Sequence, residues 1–272
     1  MSTSQHAELG HFLRSRRERL APEHVGLPAG VRRRSRGLRR EEVAVLANLS
    51  PTWYTYLEQG RRIRPSAEVL DGLADALRMN PTERRYLHAL GSPPSPQVQL
   101  DLRPPPDAVD SVRRLMDLTA DVPYPAYAID GRGELLGWSP HAVEWYDDFA
   151  AYPERERNIV RWMFTAPRAR TRILHWERDA QNLAARLRYF IGTSRLDPEV
   201  LDLVTDMRAG CSEFDRWWES HDVVEQETRR RSFRHPVRGE CTLQLTVLRL
   251  AVCPSVTVVF HSPLTSDDHP IE

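Results

Sequence analysis

Leu9, Phe12 and Leu13 recur at helical spacing with Arg on intervening positions, so the chain opens with a predicted amphipathic helix over 8–19, ended by Pro22, Pro28 and Gly30. From 38 to 90 the apolar positions fall into short periodic runs, which predict helices over 39–47, 51–59, 66–77 and 81–90. Ser50 before Pro51, Ser66 after Pro65 and Asn80 before Pro81 supply N-caps, the first and third with Pro at the first helical position. Six Pro between 91 and 106 then interrupt all periodicity and predict a semi-rigid connector. Beyond it a helix over 109–118 is expected, followed by a hairpin of 126–130 and 134–138 around Gly131, Arg132 and Gly133. Ile173, Trp176, Ala180, Leu183, Leu187 and Phe190 form one stripe, predicting a continuous helix over 171–191. Val, Thr and Leu enrichment predicts strands over 223–233, 241–250 and 255–261, with turns at Pro236 to Gly239 and at Pro254.

This order predicts two domains in an α+β arrangement: an all-α N-terminal bundle, then an antiparallel sheet with helices gathered on one face. The expected divisions are 1–92, a linker 93–106, a second domain 107–265 and a tail 266–272.

Over its 272 residues the chain has a formal net charge of zero, but the charge is unevenly spread. Residues 1–92 hold 16 Arg against 10 acids, and the remainder holds 22 against 28. In the first half Arg32, Arg33, Arg34, Arg36, Arg39, Arg40, Arg61, Arg62 and Arg64 are bunched, a local field suited to phosphate backbones. Cys211, Cys241 and Cys253 lack the spacing of a zinc site or a disulfide framework, which fits a reducing cytoplasm. No apolar stretch approaches the ~20 residues of a membrane span, so neither membrane insertion nor a leader is expected. A Gly-rich phosphate loop, a His-Glu-x-x-His pair and a Gly-x-Ser-x-Gly turn are all missing, and neither catalysis nor a cofactor or metal is expected.

The window 40–57 carries helix-turn-helix spacing. Val43 and Ala47 face the core, Ala44 is small where the second helix passes, and Asn48 takes the turn position that needs a left-handed backbone. Leu49, Tyr54 and Leu57 seat the second helix, leaving Pro51, Thr52, Trp53, Thr55 and Tyr56 outward, with Ser50 at its start. The N-terminal residues of such a helix enter the major groove, where base edges are distinguishable. Thr52 and Tyr56 are the expected base contacts, whereas Arg39, Arg40, Arg61, Arg62 and Arg64 flank the element and suit phosphate.

Leu38-Arg-Arg-Glu-Glu-Val-Ala44, Leu57-Glu-Gln-Gly-Arg-Arg62 and Pro65-Ser66 together resemble the XRE class of repressor-type helix-turn-helix domains. The resemblance implies a DNA-binding transcription factor acting as a homodimer on double-stranded DNA, with Glu58 structural. Tyr54 departs from the branched aliphatic residue usual there.

A second resemblance covers about 107–262. Pro125-Ala-Tyr-Ala-Ile-Asp130, Leu136-Gly-Trp138, Glu156-Arg-Asn-Ile-Val-Arg-Trp-Met-Phe164, Phe214-Asp-Arg-Trp217, His221-Asp-Val223 and Phe233-Arg-His-Pro-Val-Arg-Gly239 are similar to the ligand-binding domain of MmyB-like regulators, a PAS-like fold. Ser139 and His175 depart from that family's usual Asn and Asp. The resemblance implies a pocket for a hydrophobic, fatty-acid-like ligand, with Trp138, Phe164, Leu187, Phe190, Phe214 and Trp217 on its walls. Arg157, Asn158, Arg188 and His235 are the polar residues that would meet a carboxylate head group. The rival expectation is a second domain that only dimerises.

Overall fold

The computed structural model describes residues 3–28, 37–92, 103–193, 198–225 and 229–264. Gly30, Arg32, Arg33, Arg34 and Arg36, most of the expected linker and the tail lie outside the described residues. Two compact units are formed: unit 1 from Met1–Gln99, Ala185–Arg195 and Trp217–Glu225, and unit 2 from Leu100–Ala184, Leu196–Arg216 and Gln226–Glu272.

Unit 1 contains α1 (Thr3–Arg19), α2 (Arg40–Leu46), α3 (Pro51–Glu58), α4 (Ala67–Ala76) and α5 (Pro81–Gly91). The starts of α3, α4 and α5 follow from their caps: Ser50 Oγ accepts from the Trp53 N–H, Ser66 Oγ from Val69, and Asn80 Oδ1 from Glu83. Glu83 returns a bond to the Asn80 N–H, so orphan donors are satisfied on both sides of that cap. Asn48, between α2 and α3, has φ 54°, the left-handed turn that its residue type tolerates. Leu9, Phe12, Leu13, Val43, Ala44, Tyr54 and Leu57 meet in one core at 0–1% exposure. Each large side chain so buried contributes about 1.5–3 kcal/mol against leaving it in water. Gly10 is what lets α1 approach α3, because a Cβ there would lie 2.6 Å from the Glu58 carbonyl oxygen.

Unit 2 is built on a five-stranded antiparallel sheet in the order β2-β1-β5-β4-β3. Its strands are β1 (Ala126–Ile129), β2 (Leu135–Trp138), β3 (Arg229–His235), β4 (Gly239–Leu250) and β5 (Cys253–Pro263). The β1–β2 turn is held by Asp130, whose Oδ1 accepts the N–H groups of Arg132 and Glu134 at 2.9 Å, while Gly133 takes φ 81°. Period-2 alternation divides the sheet's side chains between its faces. Ala126, Ala128, Val256 and Val258 pack with Ala108, Val112 and Met116 of α6 (Pro106–Asp117). Tyr127, Phe233 and His261 belong to the opposite face, among the rings of Trp145, Tyr146 and Trp162. These come from α7 (Ala142–Trp145), the residue after it, and α8 (Ile159–Thr165). The remaining helices are α9 (Pro167–Arg172), α10 (Trp176–Thr193), α11 (Pro198–Gly210) and α12 (Ser212–Glu219). Both α10 and α12 begin among residues of unit 2 and end among those of unit 1.

Helices lie on both faces of the sheet, α6 on one and α7 and α8 on the other, rather than on one face as expected, and the turn expected at Pro254 falls at 251–252, with Pro254 inside β5. Three further local readings are corrected. The first helix starts at Thr3, not at position 8. The helix expected over 171–191 is broken: the Ile173 N–H still closes α9 on the Ala169 carbonyl at 3.0 Å, but Ile173 also bridges Phe233 and the Leu174 N–H donates to the Ser232 carbonyl at 2.9 Å, so the helical ladder stops there. Strand β3 starts at Arg229 rather than at 223; residues 223–225 are not in a strand, and Val223 instead joins the core of unit 1.

Candidate functional site

In unit 1, α3 stands on a buried ionic base. Arg17 donates through Nε to Glu58 Oε2 at 2.7 Å and through Nη2 to Oε1 at 2.8 Å, and its Nη1 donates to the Leu38 carbonyl. Arg40 adds a bond from Nε to Glu58 Oε1 at 2.9 Å. Burial opposes ionisation of Glu58, but the bonds and charges of Arg17 and Arg40 outweigh it and lower its pKa. The base ties α1, α2 and α3 at fixed geometry, which is what a helix reading a groove requires.

Above that base Pro51 and Thr52 are exposed at the start of α3, and Trp53 is half-buried against the core. Thr55 Oγ1 donates back to the Pro51 carbonyl at 2.8 Å, which commits its proton within the helix. The Arg61 guanidinium lies 3.9 Å from the centroid of the Tyr56 ring, a cation–π distance. Arg39, Arg61, Arg62 and Arg64 are exposed, and so is Arg40 despite its bond to Glu58. All of the residues expected to touch DNA therefore belong to one unit, with Ser50 acting there as the cap of α3.

Those expected to line a ligand site are divided. Trp138 and Arg157 meet in a cleft of about 260 Å³ in unit 2, lined also by Arg113, Met116, Asp117 and Leu135. Arg157 sits 5.8 Å over the Trp138 ring and spends Nε and Nη2 on the carbonyls of Tyr152 and Ala150. Asn158 is buried; its Oδ1 accepts the N–H groups of Val160 and Arg161, capping α8, and its Nδ2 donates to the Arg132 carbonyl. Phe164 and Phe214 make an edge-to-face pair at 4.8 Å. His235 Nδ1 accepts from Val237 and Arg238, and burial, partly offset by Glu144, lowers its pKa. Leu187, Arg188, Phe190 and Trp217 fall in unit 1.

In unit 1 Arg188 donates to the carboxylate of Glu8 and to the Trp218 carbonyl, with its guanidinium over the Trp218 ring. Glu8 Oε1 also accepts from Tyr86 Oη at 3.0 Å and has His221 Nδ1 at 3.4 Å. Burial works against the Glu8 charge, yet the His221 bond and the charge of Arg188 hold its pKa at about 2.

The polar interior of unit 2 escapes the sequence reading. Arg231, 2% exposed, donates through Nε to Asp179 Oδ2 at 3.1 Å and through Nη1 to Tyr146 Oη at 3.1 Å. Tyr146 Oη lies 2.7 Å from His261 Nε2, and His261 Nδ1 lies 2.8 Å from the Pro125 carbonyl. Since a carbonyl only accepts, Nδ1 carries the proton and Nε2 accepts from Tyr146. Full burial, reinforced by Arg231, pushes the His261 pKa down to about 3, so the ring is neutral. The alternation of Arg229, Arg231, Phe233 and His235 was the one available signal for this face.

A braced helix-turn-helix on a chain that also folds a sheet-and-helix unit is the layout of a two-domain DNA-binding regulator. Comparison with protein families agrees: residues 8–87 match a helix-turn-helix domain, and residues 109–269 match the MmyB-like transcription regulator ligand binding domain. The second match covers more than half of the chain, which belongs to that family; the protein is a transcription regulator, and both families point away from an enzyme. Among curated proteins none matches. No helix among the described residues is long and apolar enough to cross a membrane.

Proposed function

We propose that the protein is an XRE-class, sequence-specific regulator that binds its operator as a homodimer and responds to a hydrophobic small molecule of fatty-acid type held in unit 2. The observation that carries the DNA half is the seating of α3 on the Arg17–Glu58–Arg40 base, with Thr52 and Tyr56 on its outward side. Thr52 offers a hydroxyl and a methyl near the helix start; Tyr56 offers a hydroxyl one turn on, with Arg61 stacked on it. Arg39, Arg61, Arg62 and Arg64 bind phosphate and set register. For regulation, the ligand must differ in its affinity for the DNA-competent and DNA-incompetent states, since equal affinity shifts nothing.

The test is selection of bound genomic fragments in vitro, followed by titration of the selected site with variants. Thr52→Ala and Tyr56→Ala each relax preference at particular base pairs by ~1–3 kcal/mol. Arg62→Ala weakens all sequences alike and reduces the salt slope. Unchanged operator affinity in the Thr52/Tyr56 double variant would rule out the assignment of α3.

A further inference from the structure

Strand β3 lies at the edge of the sheet, and its residues 229, 231, 233 and 235 alternate onto the face that meets the buried rings. Two of the four are arginines. Arg231 is matched by Asp179 and Tyr146, as described. Arg229 is not: its Nε is sealed from solvent without a hydrogen-bond partner, and no ion pair is formed by its guanidinium among the described residues. Of the buried acids, Asp179 is already bonded to Arg231 and Asp147 accepts from Trp162 and Tyr152 and pairs with Arg168, while His261 is neutral. Burial and the neighbouring Arg231 bring the Arg229 pKa down to about 10, so at physiological pH it stays charged.

A buried donor left without an acceptor is costly, and native proteins keep one where something compensates it. Arg229 retains part of its surface toward solvent at the sheet edge, so a solute can reach it. Its cross-strand neighbour is Leu245, fully buried, and the Tyr127 and Tyr146 rings lie within electrostatic reach. A guanidinium fork beside apolar and aromatic walls matches a planar anion on an apolar body.

We infer that Arg229 is the receptor for the head group of an amphipathic monocarboxylate, completing the charge balance that Asp179 leaves open. This rests on the reading of unit 2 as a small-molecule sensor and moves the head-group role from Arg157, Asn158, Arg188 and His235, whose bonds are described above, to Arg229, a cation whose Nε has no partner.

Calorimetric titration of the full chain with sodium decanoate, decanol and sodium acetate tests it. Decanoate is expected to bind more tightly than decanol or acetate. Arg229→Gln should weaken decanoate roughly tenfold or more and leave decanol unchanged, as loss of a charge-assisted bond implies. Arg230→Gln, whose side chain leaves the strand on the other face, should alter neither. If Arg229→Gln fails to fold, Arg229→Lys and carboxyl-¹³C decanoate bound to the unaltered protein serve instead: the bound carboxyl should stay ionised at pH values where free decanoate is half protonated. Equal binding of decanoate and decanol, both indifferent to Arg229, would overturn the head-group assignment while leaving a hydrophobic sensor. Acetate binding as tightly as decanoate would overturn the amphipathic ligand. No binding by any of the three would overturn both the inference and the sensor reading on which it rests.

Discussion

Buried arginines are matched in both units, with one exception: even Arg16, whose Nε lacks a partner, pairs through its Nη atoms with Glu83 and Asp222. Arg17 and Arg188 in unit 1 are closed: carboxylates and backbone carbonyls take their donors, and the acids they bind accept further bonds. In unit 2 Arg231 is closed in the same manner, whereas Arg229 two residues away is open. A closed network fixes geometry and an open cation fixes chemistry, so the difference separates the part that must hold a shape from the part that must receive a partner.

The sharpest way to break that comparison is to open a closed site. Glu58→Ala strands Arg17 in the core and should cost about 3–5 kcal/mol, the range for removing one partner of a buried pair. Urea unfolding monitored by circular dichroism measures it, and a loss below ~1 kcal/mol would mean that the ionic base is dispensable. A smaller effect comes from acid. Glu8 has a folded pKa of about 2 against an ordinary 4.5, so its stabilisation is present above about 4.5 and disappears as the pH falls to about 2. By linkage this is on the order of 3 kcal/mol, and Glu8→Gln should flatten the dependence of the melting temperature on pH across that window. An unaltered acid limb in that variant would remove Glu8 from the account.

Neutral caps set the next level. Asn80→Ala removes an acceptor at the start of α5 and should cost about 1 kcal/mol in the same urea experiment, with no effect expected on decanoate binding. Least of all, Arg14→Ala loses only an exposed pair with Glu18 and should shift stability by ~0.5 kcal/mol or less. If Arg14→Ala rivals Glu58→Ala, burial is not what distinguishes these pairs.

Local chemistry explains what could be read directly from the residues. Ser50-Pro51 and Asn80-Pro81 mark helix starts because a capping oxygen and a preset φ act within four residues, and Asn48 marks the turn for the same reason. Gly131 to Gly133 likewise locate the β1–β2 hairpin. The break after Arg172 was not legible, since the competitor for the helical bond of Leu174 is a strand some sixty positions later. Nor was the assignment of Leu187, Arg188, Phe190 and Trp217 to unit 1, which depends on long-range packing. Arg229 and Arg231 were hidden by a sound rule, that arginine is mostly exposed, whose exceptions appear only when the neighbours are known.

The edge position of β3 has a separate consequence for how these molecules behave in a crowd. An outermost strand presents unpaired backbone groups to any similar strand, and charged side chains are among the devices that deter such lateral stacking. Arg231 is buried and matched, but Arg229, Arg230 and Arg234 of β3 keep part of their surface in solvent, so neighbouring copies repel before their backbones can zip together. Replacing Arg230 and Arg234 with neutral β-formers should increase aggregation on concentration.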